Sequence, residues 1–430
     1  MPSLADPVKL PCGLVLPNRI VKAAMAEGLA PDHVPNEDIF QAYSRWAAGG
    51  WGALLTGNVQ VDITYLGGPF DLAAPAPSST TTKNGEGRGG GDFDEKTLAL
   101  WRKYADACQK HGTPAIVQIC HPGRQSPLGA GKRGFFAKTI APSAVPLDIG
   151  RGLLARSLRA LLFGTPREMT VPEIEAVVRQ FVDAARLMAE SGFAGIELHG
   201  AHGYLIDQFL SPKTNLRTDA YGGTPEKRAK LVLDIIAQTR QAVPANFCIG
   251  IKLNSADHDA AHFEDTMRQI GLLVEAGIDF LEISGGSYEN PAMLGSSPLK
   301  TNTKTKTTTA AREAYFLDFA REVRRRFPTQ LLLLTGGFRS RQGAASALAD
   351  GACDLIGIGR PAAVNPEFPR LLLDESIPDA EARMPLAKVP LPVWLRVIRL
   401  KILGVGAETT YYAKQIWRLA KGLATFPPKA

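Results

Sequence analysis

The sequence has few cysteines and no long apolar run. Its five cysteines are Cys12, Cys108, Cys120, Cys248 and Cys353, and no two of them show the spacing of a zinc or redox motif. We therefore expect a reduced, cytoplasmic location. No apolar stretch approaches the ~18 residues that a membrane span requires. The first residues also lack the charged start and apolar stretch of a secretory signal, so secretion is not expected.

A broad basic surface is missing as well. The 430 residues include 49 Lys and Arg against 42 Asp and Glu, which gives a net charge of +7. From Pro385 onward, eight basic residues accompany a single acid, Glu408, so this segment holds the whole excess. The rest of the chain is neutral on balance, which argues against a role in binding nucleic acid.

Eight apolar, β-branched segments recur along the chain, with amphipathic segments between them. The eight cover residues 19–25, 51–61, 114–120, 195–200, 248–254, 280–286, 331–337 and 355–360. Several are continuously apolar, which is typical of strands buried on both faces. Strand and helix alternating eight times predicts an α/β fold of the (β/α)8 TIM barrel type. A doubly wound open sheet is the alternative.

Two of the amphipathic segments carry helix-end signals. Thr170 and Glu173 have the spacing of a capping box, and Gly192 is placed to end that helix. Thr224 precedes Pro225, which suits the first position of the next helix. These signals predict helices that start at the residues after Thr170 and Thr224.

The longest irregular segments follow predicted strands. They cover residues 71–93, 122–168 and 288–309. In a barrel such loops gather at the carboxyl-end face, where active sites lie. Their content of Gly, Ser, Thr and Pro suggests mobile rims or lids, with plain surface insertion as the alternative.

The chain divides into a predicted barrel, residues 1–384, and a basic helical tail, residues 385–430. One face of the tail helix is predicted to contain Tyr412, Ile416, Leu419 and Leu423. Its aromatic content favours docking on the barrel or on a partner subunit, as in a homo-oligomer. Peripheral contact with an anionic membrane is the alternative.

Small and polar residues stand at the predicted carboxyl ends of the strands. In chain order they are Ala24, Met25, Ala26, Gly57, Gln118, Lys252, Gly336, Gly337, Phe338, Gly359 and Arg360. The glycines after strand seven and the Gly-Arg pair after strand eight are typical of a barrel phosphate site. Gln118 and Lys252 suit the imide edge of a flat heterocycle, and the ring as a whole has few acids. Together these residues predict FMN.

The fourth strand ends in three side chains with mobile protons: His199, His202 and Tyr204. An HxxH metal site is one alternative, but a barrel metallohydrolase needs further ligands at other strand ends, and the right combination is missing. A purely structural packing role is plausible for one of these rings but hardly for all three. We therefore expect these residues to act in catalysis.

Six segments resemble the old yellow enzyme family of FMN-dependent ene-reductases and NAD(P)H–flavin oxidoreductases. They are LPNRIVKAAM, VQICHPGRQ, ELHGAHGYLIDQFLSPKTNLRTDAYGG, GIKLNSAD, TGGFRS and IGIGRP. The resemblance extends over about residues 5–375. The motifs are most like those of a subgroup that is common in fungi. It implies FMN at the top of the barrel, reduction by NADPH or NADH, and hydride transfer to the activated C=C of an α,β-unsaturated carbonyl compound.

The resemblance also implies roles for individual residues. His199 and His202 would bind the carbonyl oxygen of the substrate, and Tyr204 would donate the α-proton. Gln118 and Lys252 would face the pyrimidine edge of the flavin. The phosphate cradle would contain Gly337, Gly359 and Arg360.

Three positions depart from the family pattern. Lys252 stands where arginine is usual, which keeps the charge but loses the bidentate fork. Ala26 stands where many members have Thr or Cys, and Cys120 replaces a frequent tryptophan. The lysine bears on the flavin potential, and the departures at Ala26 and Cys120 leave the range of substrates open.

Two other functions stay open at this point. In the first, a phosphate-substrate aldolase or isomerase of the same fold would use Lys252 as its Schiff-base or proton-transfer residue. In the second, the chain would bind flavin without turnover and serve as a sensor or scaffold.

Overall fold

The computed structural model describes residues 2–77, 91–134, 136–150, 152–255, 262–284, 309–385, 389 and 401–428. The strands are β1 (Val8–Lys9), β2 (Val15–Leu16), β3 (Ile20–Lys22), β4 (Ala53–Leu55), β5 (Val59–Gln60), β6 (Leu72–Ala73), β7 (Ala115–Cys120), β8 (Ile140–Ala141), β9 (Arg167–Glu168), β10 (Gly195–Gly200), β11 (Cys248–Asn254), β12 (Phe280–Ser284), β13 (Leu332–Thr335) and β14 (Leu355–Ile358).

The helices surround these strands. They are α1 (Glu37–Ala47), α2 (Glu95–Gln109), α3 (Leu153–Leu162), α4 (Val171–Glu190), α5 (Leu205–Leu210), α6 (Pro225–Ala242), α7 (Phe263–Glu275), α8 (Thr309–Arg326), α9 (Arg341–Ala349), α10 (Arg360–Val364), α11 (Phe368–Leu373) and α12 (Lys401–Ala420). A 3-10 turn covers Gly123–Gln125.

Eight parallel strands close into a barrel. Their order is β3-β4-β7-β10-β11-β12-β13-β14, and β14 pairs back with β3. This closure confirms the TIM barrel and excludes the open sheet. Each of the eight predicted segments contains one barrel strand, although 51–61 divides into β4 and β5, with Gly57 between them. Residues 285 and 286 of the sixth segment lie outside the described residues.

The lower half of the barrel interior is apolar. Its side chains are Val21, Ala53, Leu55, Ile116, Cys248, Phe280, Leu333 and Leu355. Gly250 makes room for Phe280, because a Cβ on that glycine would lie 2.1 Å from the aromatic ring. An antiparallel hairpin, β1 with β2, closes this end with Val8, Leu10 and Leu16. The sequence did not predict this hairpin.

The predicted helix ends are confirmed. Thr170 and Glu173 form a capping box at α4, and Gly192 follows that helix with a φ of 88°. The Thr224 side chain accepts a hydrogen bond from the Lys227 N–H at the start of α6. These caps satisfy backbone donors that a helix start would otherwise leave without partners.

The loop after β7 is more regular than expected. Residues 122–168 contain the 3-10 turn, the parallel pair β8–β9 and helix α3. Most of the loops at 71–93 and 288–309 lies outside the described residues.

The tail helix α12 lies against α1 and α10 of the barrel. Tyr412, Ile416 and Leu419 are buried there, and Lys421 Nζ lies 2.6 Å from Asp38 of α1. Leu423, expected on the same face, is 42% exposed because the helix ends at Ala420. In the part of the chain that the structure describes, no helix has both the length and the apolar content for a bilayer span.

Candidate active site

A polar layer lies directly above the apolar layer of the barrel. Gln118, Glu197, Lys252 and Glu282 are all buried there. In the strand register Glu197 pairs with Gln118, and Lys252 pairs with Glu282. Because side chains alternate along a strand, residues two apart point the same way. Gln118 therefore faces the interior with Ile116, and the glutamate of β12 faces it with Phe280.

The lysine is held between two carboxylates. Its Nζ lies 3.0 Å from Glu282 Oε1 and 3.8 Å from Glu197 Oε2. Burial alone would lower the pKa of Lys252, but Glu282 and Glu197 outweigh that effect and hold the pKa above its usual value. Burial, with the charge of Glu282, raises the pKa of Glu197 well above its usual range against the effect of the lysine.

The expectation of few acids in this layer was wrong. Glu197 and Glu282 sit in apolar strand segments, where their sequence context resembled that of core residues. The available signal was the alternation: Glu197 precedes His199 by two residues, and a buried lysine requires an anionic partner. The Gln118 amide donates a hydrogen bond to Glu197. Part of its hydrogen-bonding capacity is therefore used within the protein.

His199, His202 and Tyr204 come together at the carboxyl end of β10. The ring centroids of the two histidines are 4.9 Å apart, and those of His199 and Tyr204 are 4.6 Å apart. Tyr204 is the residue before α5, and its hydroxyl accepts a hydrogen bond from Asn58 Nδ2 at 3.1 Å. Tyr204 is 8% exposed and His199 is 4% exposed, whereas His202 is partly exposed.

A tight turn presents these rings. His202 has a φ of 60° and Gly203 a φ of 78°, and a left-handed histidine carries a conformational cost that its surroundings must offset. The His202 N–H donates to Asn254 Oδ1 at 3.1 Å. Asp207 Oδ2 accepts from the Gly203 N–H at 2.6 Å and from Asn254 Nδ2 at 2.8 Å. This network fixes the turn on the end of β11.

Both histidines are neutral near pH 7. Burial, then the neighbouring His202 and the Lys252 cation, lowers the pKa of His199 well below its usual value. Burial, followed by Lys252, lowers the pKa of His202 to about 3. His199 Nδ1 accepts a hydrogen bond from the Ala201 N–H at 3.3 Å. Its proton is therefore on Nε2, which leaves an N–H donor on the other side of the ring.

The residues predicted for the flavin plane lie at the ends of neighbouring strands. A Cβ on Gly359 would lie 4.0 Å from the Met25 side chain, which places the ends of β14 and β3 side by side. Ala24 is partly buried and Ala26 is exposed. The Gly57 N–H is already used, since it donates to Glu27 Oε1 and to the Tyr43 hydroxyl at 2.8 Å each.

The predicted phosphate cradle combines glycine backbone with one guanidinium. Gly336 and Gly337 have φ values of 154° and 81°, and Gly359 precedes α10, which begins at Arg360. Phe338 is buried beside them. Arg360 Nη1 also lies 2.7 Å from Glu408 Oε2 of the tail helix, a pairing that the sequence did not predict.

This arrangement fits FMN. Uncovered glycine backbone and the Arg360 guanidinium suit a phosphate, while the Gln118 amide and the Lys252 cation suit a flavin ring. Among the described residues, the buried Thr335 hydroxyl has no hydrogen-bond partner. It is therefore available to bond with a ligand. FMN bound here would be held by these residues.

A second cluster of ligand-type side chains lies at the opposite end of the barrel. Potential ligand atoms of Cys12, Cys248 and Asp279 lie within 4.8 Å of one another. Asp279 is already paired with Arg240 at 2.6 Å and accepts N–H groups from Cys12 and Ile249. This carboxylate is therefore a structural link between the hairpin and the barrel. Sequence spacing could not bring the two cysteines together.

The chain is similar in sequence to known flavin oxidoreductases. The sequence profile of the NADH:flavin oxidoreductase / NADH oxidase family matches residues 3–378. A relative from Neonectria sp. (strain DH2), NADH-dependent flavin oxidoreductase iliE, is 46% identical over 441 residues, covering 98% of this chain but 55% of the relative. The protein of the same name from Hypocrea jecorina (strain QM6a) is 44% identical, covering 93% of this chain and 96% of the relative.

A solved structure supports the fold. The old yellow enzyme homologue from Zymomonas mobilis superposes with a TM-score of 0.67 at 24% identity. The match covers 87% of this chain and 93% of that one.

Proposed function

Since this chain belongs to the NADH:flavin oxidoreductase / NADH oxidase family, whose members are FMN-dependent oxidoreductases with a nicotinamide electron donor, we propose that it reduces the activated C=C of α,β-unsaturated carbonyl compounds. The observation that carries this proposal is the cluster of His199, His202 and Tyr204 at the top of the barrel. FMN, when bound, supplies the hydride to the β-carbon.

The histidines bind the carbonyl oxygen in this proposal. Negative charge grows on that oxygen as the β-carbon is reduced, and fixed N–H donors stabilise it most when it is fully developed. Neutral imidazoles suit this task, because each keeps one N–H donor over a wide pH range. The pKa values of both histidines, lowered first by burial, favour that neutral form.

Tyr204 supplies the α-proton. Its phenol is a general acid whose proton is retained at neutral pH and can be donated to a carbanion-like carbon. The hydrogen bond from Asn58 Nδ2 to the tyrosine hydroxyl at 3.1 Å orients the oxygen without using its proton.

The environment of Lys252 argues against the aldolase alternative. A Schiff-base lysine needs a lowered pKa so that a neutral amine is present. Glu282 and Glu197 overcome the effect of burial and raise the pKa of this lysine. Lys252 instead supplies a fixed positive charge beside the cofactor.

Tyr204→Phe is the central experiment. The variant keeps the ring, so folding, FMN content and reduction by NADH should be unchanged. Reoxidation by an enone should slow by ~10²–10⁴, the usual contribution of a general acid. Reoxidation by a quinone, which needs no carbon protonation, should be spared. Rapid mixing of the reduced variant with each acceptor measures both rates.

Tyr221→Phe is the matched control, since its hydroxyl contacts Asp234 at 3.3 Å outside the barrel interior. It should leave all rates unchanged. Equal slowing with enone and quinone in Tyr204→Phe would disprove the proton-donor role. If wild-type protein is reduced by NADH but no enone in a broad panel reoxidises it, the chain is a flavin-binding protein of another function.

His199→Ala tests the oxyanion site separately. Loss of one hydrogen bond to a charged oxygen should weaken binding of a phenolate ligand by about 1.5–3 kcal/mol. Titration of the flavin absorbance with a substituted phenol measures this dissociation constant. Tyr204→Phe should bind the same phenol with unchanged affinity, so a similar loss in both variants would contradict the division of roles.

A further inference from the structure

We propose that Glu408 of the tail helix positions Arg360 for the phosphate of FMN, which makes the tail a part of the cofactor site. The inference requires FMN at the top of the barrel but not the reduction of an enone, so it goes beyond the proposed function. Glu408 is a positioning residue in this scheme, because it acts through the arginine and does not itself bind the flavin.

The tail lies beyond the residues that the family profile matches, which end at residue 378. Its helix α12 begins at Lys401 and packs on α1 and α10, and α10 begins at Arg360. A phosphate site formed by the barrel alone has no need of a carboxylate from the tail. The contact between Glu408 and the arginine therefore requires its own explanation.

The two side chains form a close and sheltered pair. Arg360 Nη1 donates a hydrogen bond to Glu408 Oε2 at 2.7 Å, and the arginine and glutamate side chains are 21% and 11% exposed. Within the part of the chain that the structure describes, this is the only hydrogen bond of the guanidinium. Since a guanidinium has five N–H donors in one rigid plane, the contact leaves donors for a ligand.

The arginine belongs to the same edge of the barrel as the glycines of the predicted cradle. In the strand register Thr335 pairs with Gly357, so the segments after β13 and β14 begin side by side. Gly336 and Gly337 follow the first of these strands directly, and Arg360 comes two residues after the second ends. Backbone N–H groups and a guanidinium at one edge suit a single phosphate group.

Tyr412 holds the same face of the tail helix against this edge. It follows Glu408 by four residues, which places both on one helix face, and it is 6% exposed. Burial raises the pKa of Tyr412 to about 12, although Arg360 opposes the shift, Glu408 supports it and Arg339 opposes it. The buried tyrosine therefore lies near the arginines that follow both strands, and it keeps Glu408 directed at the barrel.

Glu408 affects phosphate binding in two opposite ways. Its carboxylate repels the phosphate, but it also holds a long side chain that phosphate binding would otherwise have to order. Ordering one such side chain weakens binding by about 2- to 10-fold. Because the paired guanidinium offsets the charge of the carboxylate, we expect the positioning effect to be the larger one.

Glu408→Ala is the first test. The full chain, freed of FMN, is titrated with FMN and with riboflavin, which has the same ring system but no phosphate. Quenching of flavin fluorescence gives both dissociation constants. That of FMN should rise by about 2- to 10-fold, while that of riboflavin should stay unchanged. If Glu408 had only a structural role, its loss would weaken both flavins alike or neither of them.

Two further variants control for charge and for docking of the tail. Glu408→Gln keeps the side-chain length and an acceptor oxygen, so it should retain the preference for FMN better than Glu408→Ala does. Lys421→Met breaks a second ion pair between tail and barrel, in which Nζ lies 2.6 Å from Asp38 Oδ1. It should leave the ratio of the two dissociation constants at the wild-type value.

Arg360→Met shows whether the effect passes through the arginine. This variant should lose preference for FMN directly, and the addition of Glu408→Ala should then cause no further loss, because two residues that act as one unit are not additive. Fully additive losses in the double variant would overturn the proposal.

Two other outcomes would also overturn it. A preference for FMN in Glu408→Ala that equals or exceeds that of wild type would show that repulsion dominates. A wild-type ratio in Arg360→Met would place the phosphate elsewhere. Both measurements concern binding alone, so they leave the proposed reduction of enones untouched, and failure of that function leaves them untouched in turn. Thermal midpoints of the FMN-free variants exclude misfolding.

Discussion

The lower and upper halves of the barrel interior stand on the same strands but have opposite chemistry. Ile116 lies below Gln118 on β7, and Phe280 lies below Glu282 on β12. Two residues along a strand correspond to a rise of about 6.6 Å on the same face. The chemistry of the interior therefore changes from hydrocarbon to buried charge within one repeat of the strand.

This difference separates stability from function. Burying apolar side chains stabilises the barrel by roughly 25 cal/mol per Å². Burying the ion pair of Lys252 and Glu282 contributes little net stability, because desolvation offsets most of the attraction. The lower half and its hairpin thus support an upper half that is shaped for a ligand. Variants in the lower half should change stability, and variants in the upper half should also change the properties of the bound cofactor.

Lys252→Met should have the largest effect. The variant keeps the side-chain stem but leaves Glu197 and Glu282 buried without their cation. Breaking a buried pair in this way typically costs about 3–5 kcal/mol. Urea unfolding of the FMN-free protein measures the free energy of unfolding. In the protein that still folds, the midpoint potential of bound FMN should fall, because the fixed positive charge beside it is lost.

Lys252→Arg is the control for charge and should recover most of the stability. A loss of less than about 1 kcal/mol in Lys252→Met, well under the usual range for a broken buried pair, would contradict the ion pair. An unchanged potential would mean that the lysine does not face the cofactor.

The barrel was predictable because its signals are local. The predicted strand segments 195–200 and 248–254 coincide with β10 and β11 to the residue, and the caps at Thr170 and Thr224 depend on neighbours three residues away. The hairpin β1–β2 has two-residue strands, which are too short to show a hydrophobic period. It forms because Val8, Leu10 and Leu16 cover the open end of the barrel.

The candidate site was predictable where its residues adjoin in sequence. His199, His202 and Tyr204 lie within one turn, so their proximity follows from spacing. The contacts of Lys252 with Glu282 and of Arg360 with Glu408 join distant segments. Such pairs depend on strand register and on helix docking, neither of which a single sequence specifies.

The stability contributed by the upper half should depend on pH, whereas that of the apolar lower half should not. The folded-state pKa of His202, about 3, lies below the ordinary value of about 6.5. Its contribution to stability is therefore complete above pH 6.5 and is lost as the pH falls toward 3. At about 1.4 kcal/mol per pKa unit, and discounted for partial exposure, we expect this histidine to account for about 1–2 kcal/mol between pH 7 and pH 5.

The comparison of wild type with His202→Gln isolates this effect, because Glu197 has a raised pKa and contributes in the opposite direction. The stability difference between the two proteins should change over that pH range. Phe280→Leu, a change in the apolar layer, should lower stability by the same amount at both pH values. Parallel curves for wild type and His202→Gln would show that the histidine does not change protonation on unfolding.

Ile116→Val should have the smallest effect and is the most selective test of the comparison. The change removes one methylene group from the apolar layer and leaves Gln118, two residues along the same strand, untouched. It should cost about 0.5–1.5 kcal/mol of unfolding free energy, the usual range for this substitution in a core. FMN affinity, midpoint potential and the rate of enone reoxidation should be unchanged, because the residue contacts the apolar cluster of Leu55 and Phe280. Urea unfolding, fluorescence titration with FMN and rapid mixing provide the measurements. If FMN affinity falls together with stability, the two halves are mechanically coupled, and the apolar layer positions the polar one in addition to supporting it.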